Sequence, residues 1–295
     1  MQPLFYALIV VFGWGTWLAP SQKVAFASQR VRNLYVVITN LAIATVVALW
    51  QGSVWELTAA AFWLTFAGGL IWAVGGLCAF TGTNKLGMAK AFGIWAPLNI
   101  LVSLIWGALL FQEFVDLSAQ GILWLVVSIL TILVGILLII FAKGAGEGVQ
   151  EPGAFRIGLV GAVGAGILWG SYFIPIKYAG VSLWAGAFPL ALGMAVGGLV
   201  LALLGRQSWK LPSAGDVVRA CSTGALWSMG NYGMLLLVDA IGAGKGFTIS
   251  QISVVVAALI SIYWLHDPPP KTRAAALTFT GCVLAMLGGI ILGNL

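Results

Sequence analysis

WGTWLAP, residues 14–20, returns as WGSYFIP, residues 169–175. Both copies sit inside long apolar runs, 155 residues apart. The same offset, without a gap, brings Trp72, Gly75, Gly87, Lys90, Phe92 and Ile94 onto Trp227, Gly230, Gly242, Lys245, Phe247 and Ile249. Apolar residues coincide easily by chance, whereas Trp and Lys matches in one register do not. The chain is therefore read as two copies of one unit.

The unit is built for lipid. Charged residues make up 7% of the 295 positions and apolar types 61%, with a mean hydropathy of +1.05. A soluble domain carries about 25% charged residues, and so small a share cannot cover a water-facing surface. Ten stretches free of Asp, Glu, Lys and Arg exceed 18 residues: 1–22, 33–55, 57–84, 91–112, 117–142, 157–176, 178–205, 220–238, 246–265 and 274–295. About 20 apolar residues suffice for one helical crossing. The runs do not alternate polar and apolar residues, which argues against a β-barrel. The expected fold is an all-α membrane protein with ten transmembrane helices.

Ten spans divide the 14 basic residues sharply. Lys23, Arg30, Arg32, Lys85, Lys90, Lys143, Arg156, Arg206, Lys210, Arg219, Lys271 and Arg273 share one side, and Lys177 and Lys245 take the other. The basic side is expected to be cytoplasmic, with both termini outside and the chain in the cell (inner) membrane. Five spans separate the two copies, and five is odd, so the second enters from the opposite face. Two inverted five-helix repeats follow: residues 1–142, a Gly/Pro/Glu-containing connecting loop at 143–156, and residues 157–295. Inverted repeats place a solute site near the midplane, between the halves.

Three stretches resemble a known family: WGTWLAP, GGLIWAVGG at 68–76, and LGMAKAFGIWAPLNILVSLIWGALLFQEF at 86–114. They resemble the drug/metabolite transporter superfamily, and within it the glucose/ribose porter group and its rhamnose-transporter relatives. IGAGKGFTISQISVVVAALISIYWLHD at 241–267 is the corresponding stretch of the second copy. The resemblance implies that spans 1, 3 and 4 with 6, 8 and 9 line a cavity, while spans 5 and 10 pack outside. At the 155-residue offset Ile252 stands where the first copy has Pro97, and Pro268 where it has Glu113.

A sugar needs hydrogen-bonding side chains for its hydroxyls and flat aromatic faces for its C–H surfaces. Trp14, Trp72, Trp169 and Trp227 are deep, repeat-related pairs, with Trp17, Tyr172 and Trp95 similar. Each reads either as helix packing or as a cargo face. Trp50, Trp55, Trp184, Trp209 and Trp264 lie near span ends and read as headgroup-level anchors. A polar group in an apolar medium faces protein or a water-filled cavity. That singles out Asn99, Asn231 and Gln251, then Tyr232 and Ser250, against the alternative of interhelical bonds alone. Asn40 and Thr45 read as structural. Pro97 removes a backbone donor inside span 4. Asp239 and Glu113 are where a coupling proton would act, and Asp239 is close enough in sequence to pair with Lys245. Lys90 and Lys245 otherwise read as snorkelling cations.

GAGKG at 242–246 lacks both the preceding strand and the Ser/Thr of a phosphate-binding loop. The three cysteines lie in separate runs, and the single His266 completes no metal set. No nucleophile–base–acid set is visible. The sequence thus points away from an enzyme, a cofactor, a metal or nucleic acid. It points to a secondary carrier of a sugar or polyol working by alternating access, with a proton as the candidate coupling ion and the coupling itself left open. The competing reading is a same-fold exporter of amino acids or other small metabolites or drugs.

Overall fold

The computed structural model describes residues 2–52, 56–113, 115–142 and 153–295. Regular structure among them is entirely helical: α1 (Gln2–Thr16), α2 (Gln29–Gln51), α3 (Ala59–Leu86), α4 (Met88–Phe111), α5 (Ala119–Ile140), α6 (Ala154–Trp169), α7 (Phe173–Ala179), α8 (Leu183–Gly205), α9 (Ala214–Ile241), α10 (Ala243–Ser250), α11 (Ile252–Ile260) and α12 (Arg273–Leu292). A 3-10 turn, Pro20–Lys23, follows α1, and a π turn, Ser261–Leu265, prolongs α11. Most of the expected connecting loop, with Lys143, and the expected anchor Trp55 lie outside the described residues.

Nine segments among the described residues are long and apolar enough to cross a membrane. Spans 6 and 9 are each assembled from shorter pieces, α6 with α7 and α10 with α11 and the π turn. The ten expected spans differ from these nine at α9. It is 28 residues long but carries Asp216, Arg219 and Asp239 near its ends.

Local chemistry repeats with the sequence. Thr58 caps α3 by accepting from Ala61 N at 3.2 Å, and Ser213, 155 residues on, caps α9 by accepting from Asp216 N at 3.1 Å. Gly87 and Gly242 start α4 and α10 with nearly the same backbone, φ +83° and +86°, a region suited to glycine. By Ser261 the offset has become 154. Gln112 and His266 both adopt the left-handed conformation. Glu113 N bonds Gly107 O, and Asp267 N bonds Ser261 O. Ser118 and Thr272 cap α5 and α12. One residue is thus omitted between Gly242 and Ser261, the stretch in which the helix breaks at Gln251. Asp267 rather than Pro268 therefore matches Glu113, which corrects the sequence alignment of that position.

Small residues let the helices touch, and their contacts give the helix directions. Against α3, α6 runs antiparallel: Gly75 meets Trp169, Gly82 meets Ala162 and Leu86 meets Gly158. Against α9, α1 does the same, with Trp14 on Gly230 and Ile9 on Gly233. These two packings exchange the copies, since 75 and 230, and 169 and 14, are 155 apart. Helix α9 runs parallel to α2, where Gly224 meets Val36 and Ser228 donates to Asn40 Oδ1. Helices α5 and α12 pack antiparallel, with Gly135 against Gly281 and Gly288 against Ile132. There an ideal Cβ at Gly135 would lie 2.6 Å from Gly281 O, and one at Gly281 equally close to Gly135 O.

Leu4, Phe5, Trp50, Trp63, Leu109, Val160 and Leu204 are exposed, an apolar exterior that suits acyl chains. Trp264 and Trp209 are also exposed. At one end of the bundle Gly205 meets Arg30, Gly158 meets Lys85, and Gly87 meets the Asp267 carboxylate. This basic end gathers the starts of α2, α4, α6, α9 and α12.

Candidate functional site

A chamber of about 810 Å³ opens between the helices. Its walls come from α1, α3, α4, α6, α7, α8, α9, α10, α11 and α12, with α2 and α5 absent. The implied lining by spans 1, 3, 4, 6, 8 and 9 is present, joined by Gly186, Ala187 and Leu190 of α8 and by Gly289, Leu292 and Gly293 at the α12 end.

Tryptophans form the floor. Trp17, Trp72, Trp95, Trp169 and Trp227 are each at most 8% exposed and line the cavity. Trp169 is the hub: its ring centroid lies 5.1 Å from Trp72, 5.6 Å from Trp95 and 6.1 Å from Trp17. Trp72 in turn meets Trp227 edge-on at 4.8 Å. Offset and edge-to-face contacts suit aromatic quadrupoles. Glycines make room for the rings, for a Cβ at Gly75 would sit 2.6 Å from Trp169 Nε1. Trp169 Nε1 donates to Trp72 O, whereas the matching Trp14 Nε1 is buried without a partner.

Polar groups stand above this floor. Asn99 Oδ1 accepts from Ser103 Oγ at 3.3 Å, which leaves its amide N–H groups for a ligand. Gln251 Nε2 donates to Phe247 O, which leaves its carbonyl oxygen as an acceptor. Asn231 lines the same space and makes no side-chain hydrogen bond among the described residues. Tyr172, Ser250 and Ser253 complete the polar lining. Gln251 owes its position to the helix break, which sequence inspection gave no reason to place there.

The chamber is one-sided. Its rim holds Glu113, Lys177, Gly180 and Leu183, and Glu113 and Lys177 form an ion pair. Lys177 also lies 4.0 Å from the Phe111 ring centre. Toward the basic end, beyond the indole floor, Leu18, Phe80 and Met88 are all fully buried, with Phe80 edge-on to Trp17. Buried Arg32 braces that packing. It donates to Ser21 Oγ, Thr83 Oγ1 and Leu18 O and lies 4.6 Å from the Phe80 ring centre. Ser21 accepts from Thr223 of α9. Sequence reading counted Arg32 only as a surface charge and missed the Glu113–Lys177 pair, because the partners are 64 residues apart.

Four candidates fall elsewhere. Tyr232 does not line the chamber but packs beside Trp184 at 6.0 Å. Asp239 accepts from Trp184 Nε1 at 2.7 Å instead of pairing with Lys245. Lys245 lines a separate depression with Thr248, Ile249 and Asn294. Lys90 is buried in the first turn of α4, not extended to a headgroup layer, because the Asp267 loop covers that helix start. Asn40 is structural, accepting from Ser228 and donating to Met194 Sδ.

A family model described as "Sugar transport protein" matches residues 5–295. A Bacillus cereus (strain ATCC 10987 / NRS 248) protein named for sugar uptake is 26% identical over 98% of both chains. A Priestia megaterium protein named for glucose uptake, GlcU, is 25% identical over 76% of both. One solved crystal structure superposes with a TM-score of 0.63 at 17% identity, covering 98% of this chain and 95% of that one. That likeness concerns the fold alone.

Proposed function

The chain belongs to the sugar transport protein family, and on that premise we propose that it is a secondary carrier moving a monosaccharide or similar polyol inward by alternating access. The carrying observation is the chamber: a floor of indoles, amides of Asn99, Asn231 and Gln251 above it, and one open end. Indole faces offer a sugar's C–H surfaces contact, and amides offer its hydroxyls both donors and acceptors. Glu113 and Lys177, paired at the rim, are the charged residues among the lining. A zwitterionic amino acid would leave water and find no ionic partner at the floor, which favours the neutral solute over the exporter reading. Inward direction is supported by relatives named for sugar and glucose uptake.

The mechanism rests on ten spans in two inverted halves, 1–142 and 157–295. The antiparallel pairing of α1 with α9, and the parallel run of α9 with α2, support α9 as a crossing helix. Contacts that recur with the copies exchanged support the pseudo-two-fold relation. The clustered basic end supports a cytoplasmic plug and external termini in the cell membrane. A symported proton would be carried by Glu113, the member of the four coupling candidates that lines the chamber.

Uptake of labelled monosaccharides into proteoliposomes, with and without a pH gradient, tests the reading. Saturable uptake is expected; absence of flux for every sugar removes it. A gradient dependence that survives Glu113→Gln removes the proton assignment.

A further inference from the structure

The 154-residue register links two carboxylates that the direct sequence alignment kept apart. Asp267 follows His266 as Glu113 follows Gln112, each pair sharing the same left-handed turn. Their surroundings differ. The Asp267 carboxylate sits on Gly87, where an ideal Cβ would lie 2.2 Å from Oδ2. It therefore faces the start of α4, whose first amides have no intrahelical partner and favour negative charge. Gly87 permits this approach because it has no side chain. Gly242, its counterpart, has the same backbone at the start of α10, yet nothing lies within 4 Å of its Cβ position. Glu113 instead folds over Gly107 of its own helix and pairs with Lys177.

The same asymmetry runs through the molecule. At the basic end the Asp267–Gly87 contact is made and the path is plugged. At the other end the matching contact is open, and the chamber's mouth lies there. Midway, Trp169 bonds Trp72 O while Trp14 lacks the equivalent bond. A chain made of two copies can reach its opposite-facing state by exchanging their local arrangements.

We propose that Asp267 and Glu113 are alternating gate carboxylates: Asp267 seals the basic end on Gly87, and Glu113 leaves Lys177 to seal the other end on Gly242 as the basic end opens. This assignment rests on the alternating-access reading. Lys177 then holds the outer gate open, and an exposed ion pair of this kind is weak enough to release. Each gate acts by positioning helices and need not touch the cargo.

Paired cysteines in the full chain test it, with Cys78, Cys221 and Cys282 replaced by serine. Gly87 and Gly242 are left intact because their backbone excludes side chains, so the pairs are Asp267→Cys with Met88→Cys and Glu113→Cys with Ala243→Cys. Both pairs should form disulfides on mild oxidation, never together in one molecule of a four-cysteine variant. With Leu104→Cys as a chamber reporter, the Glu113→Cys/Ala243→Cys disulfide should slow labelling by an impermeant thiol reagent from the basic-poor face about tenfold. Asp267→Asn and Lys177→Met, each with the reporter alone, should slow it about fivefold by weakening the outward-open state. No disulfide at Glu113→Cys/Ala243→Cys in any sugar condition, together with unchanged labelling in both single variants, overturns the proposal. A disulfide there that leaves labelling unchanged overturns it too. Alternating disulfides in a chain that takes up no sugar would remove the sugar carrier while leaving the gates.

Discussion

Trp169 gives its indole N–H to the carbonyl of Trp72 at 3.1 Å and lays its ring over the same residue, the planes 26° apart. One side chain thus ties α6 to α3 and supports the chamber floor from beneath the polar groups. The bond itself is buried, where a lost partner is not readily replaced.

Trp169→Phe removes that bond and part of the floor's area while keeping an aromatic ring. Stability should fall by about 1 kcal/mol, read as a lower melting temperature in detergent, and sugar affinity should fall with it. Trp14→Phe removes a donor that has no partner, so its stability cost should be the smaller of the two. Equal costs would contradict the assigned asymmetry.

Asn231→Ala and Gln251→Ala should each weaken sugar binding without lowering expression. One hydrogen bond is worth about 0.5–1.5 kcal/mol, a few-fold to roughly tenfold rise in the half-saturation concentration. Tyr232→Phe, away from the chamber, should leave uptake unchanged. Unaltered affinity in both amide variants would remove them from the site.

Two alanine substitutions in α8 should separate sharply. A Cβ at Gly193 would lie 2.0 Å from Phe66 O, a backbone atom that cannot swing away. A Cβ at Gly186 meets its nearest neighbour, a methyl of Thr65, at 3.5 Å. Gly193→Ala should cost about 1–3 kcal/mol through overpacking, and Gly186→Ala little. Thermal melts of the purified variants in one detergent decide the point.

Arg32→Lys keeps the charge but loses the fork that joins Ser21, Thr83 and Leu18 O. A chamber cysteine should become more accessible from the basic face, and stability should drop by about 1.5–3 kcal/mol, the range for a hydrogen bond to a charged group. Arg32→Met, which removes the charge altogether, separates the two contributions. Unchanged accessibility in both variants would make Arg32 a folding residue rather than part of the plug.

The repeat was legible because Trp, Lys and Gly mark it where apolar residues cannot. Paired Trp positions pointed directly at the residues that now line the chamber. Between Gly242 and Ser261 the sequence hid a one-residue omission, since sliding one apolar helix along another changes little in hydropathy. Helix caps and left-handed turns settle the register because they are geometric. Lys177 looked like an exception to the charge rule. Its pairing with Glu113 became visible only once the fold joined two distant helix ends. Arg32 was hidden for a related reason: a cation near a span boundary has the same composition signal whether it faces headgroups or a buried plug.

The Gly135–Gly281 crossing also sets how closely two of the helices can approach. With two backbones in direct contact, inserting any side chain at Gly135 or Gly281 would wedge α5 and α12 apart. Carbon added at either glycine should push the two helices apart and lower the melting temperature, even though neither residue lines the chamber.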